Sequence, residues 1–354
     1  MKTKIISFFT KLLAWSASLA CIVLLSWPAY AAQRAPLEEK SADPYLGAIV
    51  IDAATGQILF EDHSDLKGYQ ASVLKLMDLM IILDKINMGA MRLDEKITIS
   101  AEAAKIGGSQ VYLKENEIFT VDELLYALMV QSANDAATAL AIQAAGSKEG
   151  FVALMNQRAK ELGLKSTEFH SIHGLPPAKG QLPDITTARD LARLARELLK
   201  YPDCLRYTSC QEHGFRDNKF IMRNHNRLLA SFPGCDGLKT GYFRKAGYSV
   251  AATAKRGDAR IIAIVLGSKS RILRDKKAAE LLTQGFAIMA QKQSLVQKTV
   301  PPPVEQPAAE EKAPRSNRVL GLIISIVALV IIALACYWFF FYHQKNKEDL
   351  LQRH

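Results

Sequence analysis

Three short groups of residues in this 354-residue chain could do chemistry together: Ser72-Val73-Leu74-Lys75, Ser132-Ala133-Asn134 and Lys239-Thr240-Gly241. A hydroxyl three residues before an amine suits nucleophilic catalysis, because side chains three apart on a helix share a face with Cβ atoms about 5 to 6 Å apart. Ser72 opens a run of Val73, Leu74, Leu76, Met77, Leu79, Met80, Ile81, Ile82 and Leu83, apolar on every face and hence buried, with Lys75 and Asp78 its only charges. Burial disfavours the ammonium form, and a neutral amine is what can take the serine proton. At the helix start the Ser72 backbone N–H can also stabilise a developing oxyanion. The competing arrangement is a Lys75–Asp78 ion pair. A second Ser-x-x-Lys, Ser64-Asp65-Leu66-Lys67, sits in a polar stretch just before Gly68 and is expected as a solvated loop.

Ser132-Ala133-Asn134 falls between two helical stretches, 121–131 and 135–145, where an exposed corner would present a hydroxyl and an amide; in isolation it reads equally as a helix cap. Lys239-Thr240-Gly241 lies within a strand reading, where Gly lets a ligand backbone lie close to the strand edge and Lys239 with Thr240 can meet a carboxylate. No His/Cys/Asp group has metal-ligand spacing, so no metal and no cofactor is expected, and His173 before Gly174 is read as a loop hydrogen-bonder.

These groups must be held by a surrounding domain, and 43–290 is long enough for one large core. Short β-rich runs at 47–52 and 57–61 form a hairpin; helical patterns follow at 72–86, 121–145, 148–162 and 187–200. Strands return at 237–242, 248–254 and 260–266, and a helix at 275–289 closes the domain. Strands at both ends with helices between imply an α/β layer structure whose sheet joins the beginning and end of the chain.

The two termini read as targeting segments. Lys2, Lys4 and Lys11 precede an apolar run that ends at Ala29-Tyr30-Ala31, the pattern of a signal peptide over 1–31. Val319 to Tyr342 holds no charged residue over 24 positions, roughly 36 Å as a helix, enough to span a bilayer. Lys345 and Lys347 after it suggest an internal tail at 343–354, and the Pro-rich stretch 291–318 reads as a tether. The expectation is a single-pass protein of the cell membrane with its domain on the extracytoplasmic side. Half the chain is apolar (49%) and 23% charged, which excludes disorder; the net charge of +10 falls to +6 over 32–318, with no basic–aromatic interleaving, which argues against nucleic acid. Of the exported cysteines, Cys204 and Cys210 could pair or, with Cys235, remain free thiols.

At these residues the sequence resembles the serine D-Ala-D-Ala carboxypeptidases, the low-molecular-mass penicillin-binding proteins. The likeness runs from about Leu46 to Phe286 and includes Leu125 to Val130, Ser132-Ala133-Asn134-Asp135-Ala136, His173-Gly174-Leu175, Thr187-Ala188-Arg189-Asp190-Leu191, Asp236 to Tyr242 and Ala246-Gly247-Tyr248. It implies a β-lactamase/transpeptidase-like α/β fold, an antiparallel sheet with a helical cluster. It also implies roles: Ser72 as acylated nucleophile, Lys75 as its base, and Ser132 as proton relay. Asn134 would hold the substrate amide, Lys239 and Thr240 the terminal carboxylate with Arg274 in support, and the N–H groups of Ser72 and Tyr242, beside Gly241, would form the oxyanion hole. The implied substrates are peptidoglycan stem peptides, with β-lactams as covalent inhibitors. Alternatives are a D,D-endopeptidase on cross-links, which the short form resembles, and a non-catalytic penicillin or wall binder. A β-lactamase is disfavoured because no Glu-x-x-Leu-Asn element stands between Asn134 and Lys239. Departures from the family pattern cluster at the nucleophile: Gln70 stands for Pro, Leu74 for Thr and Asp78 for Thr, and a carboxylate at Asp78 would favour the charged form of Lys75.

Overall fold

The computed structural model describes residues 44–299 and 318–351. The signal-peptide reading at 1–31, most of the tether and the last three residues of the tail lie outside the described residues. Two units result, 1–293 and 294–354. In the first, β1 (Gly47–Asp52) and β2 (Ile58–Asp62) form the opening hairpin, and β3 (Glu212–Phe215) with β4 (Phe220–Arg223) a separate two-stranded ribbon. The long strands β5 (Cys235–Phe243), β6 (Gly247–Arg256) and β7 (Ala259–Ser268) complete a five-stranded sheet in the order β2-β1-β7-β6-β5. All its neighbours are antiparallel, and β1 pairs with β7 from Gly47↔Leu266 to Asp52↔Ile261, joining the two ends of the domain as the sequence predicts.

Both faces of the sheet are covered, which explains why its inner strands read as continuous apolar runs. Ile49, Ile51, Ile262, Ile264 and Leu266 face a helical cluster, whereas Ala48, Val50, Ile261, Ala263 and Val265 face the closing helix. The cluster contains α1 (Lys75–Asn87), α2 (Val121–Met129), α3 (Asn134–Ala145), α4 (Lys148–Glu161) and α5 (Ala188–Leu198). Thr120 and Glu123 form a capping box that fixes where α2 begins. Helix α1 is its centre: Lys75 to Leu83 are all buried, and only its last turn, Asp84 to Asn87, reaches solvent. It is entered through a tighter 3-10 turn, Ala71–Leu74.

The closing helix α6 runs Arg271–Thr299, longer at both ends than the 275–289 read from sequence. Gln291 to Thr299 contains neither Pro nor Gly, so nothing breaks the helix until the residues before Pro301. Ala278, Leu281, Leu282 and Phe286, spaced three and four apart, pack it on the sheet. The second unit contains α7 (Arg318–Leu351), whose stretch Gly321–Tyr342 is 22 residues of mean hydropathy 2.8 with no residue buried, long and apolar enough to cross a membrane.

One local reading changes and one open alternative is decided. Ser64 is buried, not solvated: Arg189 at the start of α5 donates to Ser64 Oγ (2.9 Å) while bridging Glu61 and Asp65, and Ser64 Oγ donates to Glu61 (2.7 Å). Of the two alternatives for Cys204, Cys210 and Cys235, free thiols hold, with Cys204 buried and Cys210 and Cys235 partly so.

Candidate active site

The three sequence groups converge on one cleft of about 670 Å³, lined among others by Ser72, Ser109, Ser132, Asn134, Gly174, Leu175, Thr240, Gly241, Tyr242 and Arg274. The 3-10 turn places Ser72 at its floor, partly exposed, with Lys75 fully buried beneath it. Ala71 just before takes a left-handed φ of +46°, which swings the turn toward the sheet edge. Strand β5 is that edge, and it lies against the turn closely enough that a Cβ on Gly241 would meet Gln70 O at 2.9 Å and Val73 N at 3.0 Å. The glycine therefore serves first to let the strand approach Ser72. Gly174, at φ +71°, does the same for the opposite loop, since a Cβ there would fall 2.2 Å from Ala71 O.

Lys75 Nζ donates to Asn134 Oδ1 (2.8 Å) and to His173 O (2.8 Å) and lies 3.2 Å from Ser72 Oγ. The first two partners are carbonyl oxygens and can only accept. They take both N–H bonds of a neutral amine, so its lone pair is left for the Ser72 hydroxyl. Burial is the main cause that lowers the Lys75 amine from its ordinary value to about 8, against the opposing pull of Asp78, Asp184 and Asp135. The Lys75–Asp78 ion pair does not form; both Asp78 carboxyl oxygens are buried without a hydrogen-bond partner. Burial, with the nearby Asp184, raises the Asp78 carboxyl well above the carboxylate range although Lys75 opposes this.

The surrounding elements hold this geometry. Ser132, with φ +60°, links the end of α2 to the start of α3; the corner is buried in the chain and opens only to the cleft, with Ser132 and Asn134 each 2% exposed. Asn134 Nδ2 donates to Gly107 O (2.8 Å), so both ends of this amide are engaged within the protein and it also holds Lys75. The residue in the Pro position, Gln70, donates to Ile185 O (2.9 Å) and ties the turn to the 185–186 strand. Leu74 packs in the core.

On the sheet side Lys239 is 2% exposed and donates to Thr240 O (3.1 Å). Burial, and the repulsion of Lys75 and Arg274, hold its amine well below the ordinary value. Arg274, equally buried, is paired with Asp275 at 2.7 Å. Such a cluster of desolvated cations with few carboxylates near it favours an anion.

Sequence reasoning missed several residues that complete the cleft. Arg223, Asn224, His225 and Arg227 form its outer wall, and burial with Lys239, Arg274 and Lys75 lowers the His225 imidazole to about 4, so it is neutral at pH 7. The basic spacing Arg223-Asn224-His225-Asn226-Arg227 was the available signal. Asp184 had none: its carboxylate accepts His170 N (2.6 Å), Ser171 N (2.8 Å) and Ser171 Oγ (2.6 Å), shaping the turn that presents His173 O to Lys75. His173 is the loop hydrogen-bonder expected, its Nδ1 accepting from Leu175 N at 3.1 Å.

The profile of the D-alanyl-D-alanine carboxypeptidase family, Peptidase_S11, matches residues 33–270. The chain is 36% identical over 277 residues to D-alanyl-D-alanine carboxypeptidase DacF of Bacillus subtilis, covering 77% of this chain and 70% of that protein. It is 37% identical over 279 residues to DacC of Escherichia coli, covering 77% and 68%. Among solved structures, penicillin-binding protein 6B of Escherichia coli superposes with a TM-score of 0.64 at 31% identity, covering 72% of this chain and 79% of that one. Penicillin-binding protein D2 of Listeria monocytogenes in its ampicillin-bound form gives 0.62 at 32% identity, covering 68% and 96%.

Proposed function

The chain belongs to the D-alanyl-D-alanine carboxypeptidase family, and we propose that it is a membrane-anchored member that removes the terminal D-Ala from peptidoglycan stem peptides through an ester on Ser72. The observation that carries this reading is the buried Lys75 amine, held on the carbonyl oxygens of Asn134 and His173 and 3.2 Å from Ser72 Oγ, where its neutral form can take the serine proton. Ser72 Oγ attacks the carbonyl carbon of the penultimate D-Ala and its proton passes to Lys75 Nζ. The backbone N–H groups of Ser72 and Tyr242 meet the oxyanion. The C–N bond then breaks, Ser132 relays a proton to the departing amine, and D-Ala leaves. Water attacks the ester, its C–O bond breaks and Ser72 regains its proton. Lys239, Thr240 and Arg274 receive the terminal carboxylate, Gly241 keeps β5 close against the Ser72 turn, and Asn134 orients the substrate amide.

Mass spectrometry of muropeptides incubated with the protein tests this. Pentapeptide monomers are expected to lose one alanine each; cross-linked dimers falling to monomers with their terminal D-Ala intact would make the protein an endopeptidase instead.

Anchoring rests on Gly321–Tyr342. At about 1.5 Å per residue this stretch spans about 33 Å, the thickness of a bilayer core. Deleting 319–354 is expected to move the protein from the membrane to the soluble fraction with penicillin labelling retained. A truncated protein that still sediments with membranes would refute the anchor.

A further inference from the structure

Among the described residues of the first unit Tyr112 is the most exposed aromatic, at 66%, and it holds a left-handed φ of +58°. That conformation is unfavourable for a bulky L-residue, and it persists only where neighbours impose it. Here they do. The Asp135 carboxylate accepts from Leu113 N (3.0 Å) and Val111 N (3.2 Å), and Arg216 donates to Val111 O (2.6 Å) and Tyr112 O (2.8 Å). Arg216 is itself fixed by Glu117 at 2.7 Å and by the rings of Phe215 and Phe119. Val111 and Leu113 are buried on either side, so the segment pushes the Tyr112 ring outward. Phe220 meets that ring edge-on, with centroids 6.2 Å apart.

Two chain segments place this pair beside the cleft. Ser109 lines the cleft and Tyr112 is three residues on; Arg223 lines it and Phe220 is three residues back along β4. Three residues reach at most about 11 Å between Cα atoms, which places the Tyr112 backbone within that distance of Ser109 on the cleft wall.

We propose that Tyr112, backed by Phe220, is a stacking platform for the amino-sugar strand to which the stem peptide in the cleft is attached. This rests on the proposed peptidoglycan substrate. The roughly four residues between scissile bond and sugar extend about 13 Å, which brings the first sugars to the rim where Tyr112 stands. The C–H face of a pyranose matches the electron-rich face of an exposed ring. Two rings are far smaller than the roughly 800 Å² per partner that a stable protein interface buries, which favours a slender polysaccharide over a protein partner.

The test uses the full-length chain in mild detergent and glycan strands stripped of their peptides, with binding read by co-sedimentation. Tyr112→Ala is expected to weaken binding about tenfold, the scale of one aromatic contact, and Tyr112→Trp to retain it. Turnover of a soluble peptide ending in D-Ala-D-Ala is expected to stay within about twofold in both variants. Tyr112→Gly separates display from structure: Gly takes this φ without strain, so its Tm is expected to hold or rise while glycan binding falls. Unchanged glycan binding by Tyr112→Ala, or a parallel loss of peptide turnover, would overturn the platform. A wild-type protein that binds glycan strands but hydrolyses no peptide would instead refute the proposed reaction, leaving the platform standing.

Discussion

Ser72→Ala is expected to abolish covalent labelling by a fluorescent penicillin and to lower D-Ala release by roughly 10⁴-fold or more, the scale for loss of a nucleophile. In the proposed reaction the serine oxygen is the atom that forms the ester. The variant should fold normally, because Ser72 is partly exposed and its hydroxyl contacts the Lys75 amine at 3.2 Å without holding the core. Ser64→Ala is the control that separates the two Ser-x-x-Lys groups. Ser64 is buried against Arg189 and Glu61, so its removal should lower Tm yet leave labelling intact. Label that persists on Ser72→Ala would remove Ser72 as the nucleophile.

Lys75→Met keeps the length of the side chain and removes the base, and its acylation by penicillin is expected to fall by about 10³-fold, within the range for a positioned general base. In the wild type only the neutral amine is competent. The acylation rate should therefore rise with pH through a midpoint near 8, where burial has moved Lys75. Asp78 sharpens the test, since it is one of three carboxyl groups, with Asp184 and Asp135, that push the amine upward. Asp78→Asn should shift the rising limb to lower pH and raise the rate at pH 7, by less than about tenfold because burial outweighs the carboxyl. Its stability has a defined sign as well. A carboxyl whose folded pKa is raised stabilises fully below its unfolded value near 3.8 and loses that contribution as pH climbs. Asp78→Asn should thus melt above wild type at pH 7, with the gap closing toward pH 4. A limb that stays at the same pH in Asp78→Asn would show that the carboxyl exerts no charge on Lys75.

What could be seen in the sequence was what repeats or lies close together. The apolar run around Lys75 announced a fully buried helix, and the three-residue spacing placed Ser72 over the amine. The apolar strands at both ends announced a sheet that joins them. The rest depends on contacts between distant segments. His173 O reaches Lys75 across 98 positions, and Arg189 covers Ser64 across 125. Backbone carbonyls carry no residue type to read, so the group that aims Lys75 left no trace in composition or spacing. Asp184 likewise works on loop N–H groups, which any sequence could supply. Gly241 was read as making room for a ligand, whereas its nearest neighbours are Gln70 and Val73 of the protein itself.

The five-stranded sheet has two open borders, β2 and β5, and they meet the risk of self-association in opposite ways. An unpaired strand border is a template on which chains can polymerise. Along β2 the register breaks opposite Val50/Ile51 and the strand ends in Glu61-Asp62, so a second copy would meet a kink and like charges. Along β5 the border cannot be blunted in that manner without losing the cationic cluster around Lys239 and Arg274. It lies instead against the Ser72 turn, and Arg223 to His225 and Arg227 line the same cleft, so neighbouring segments flank it. The chain can therefore keep one strand border unpaired without offering it to a second copy. Loosening the 223–227 wall should be felt first as aggregation.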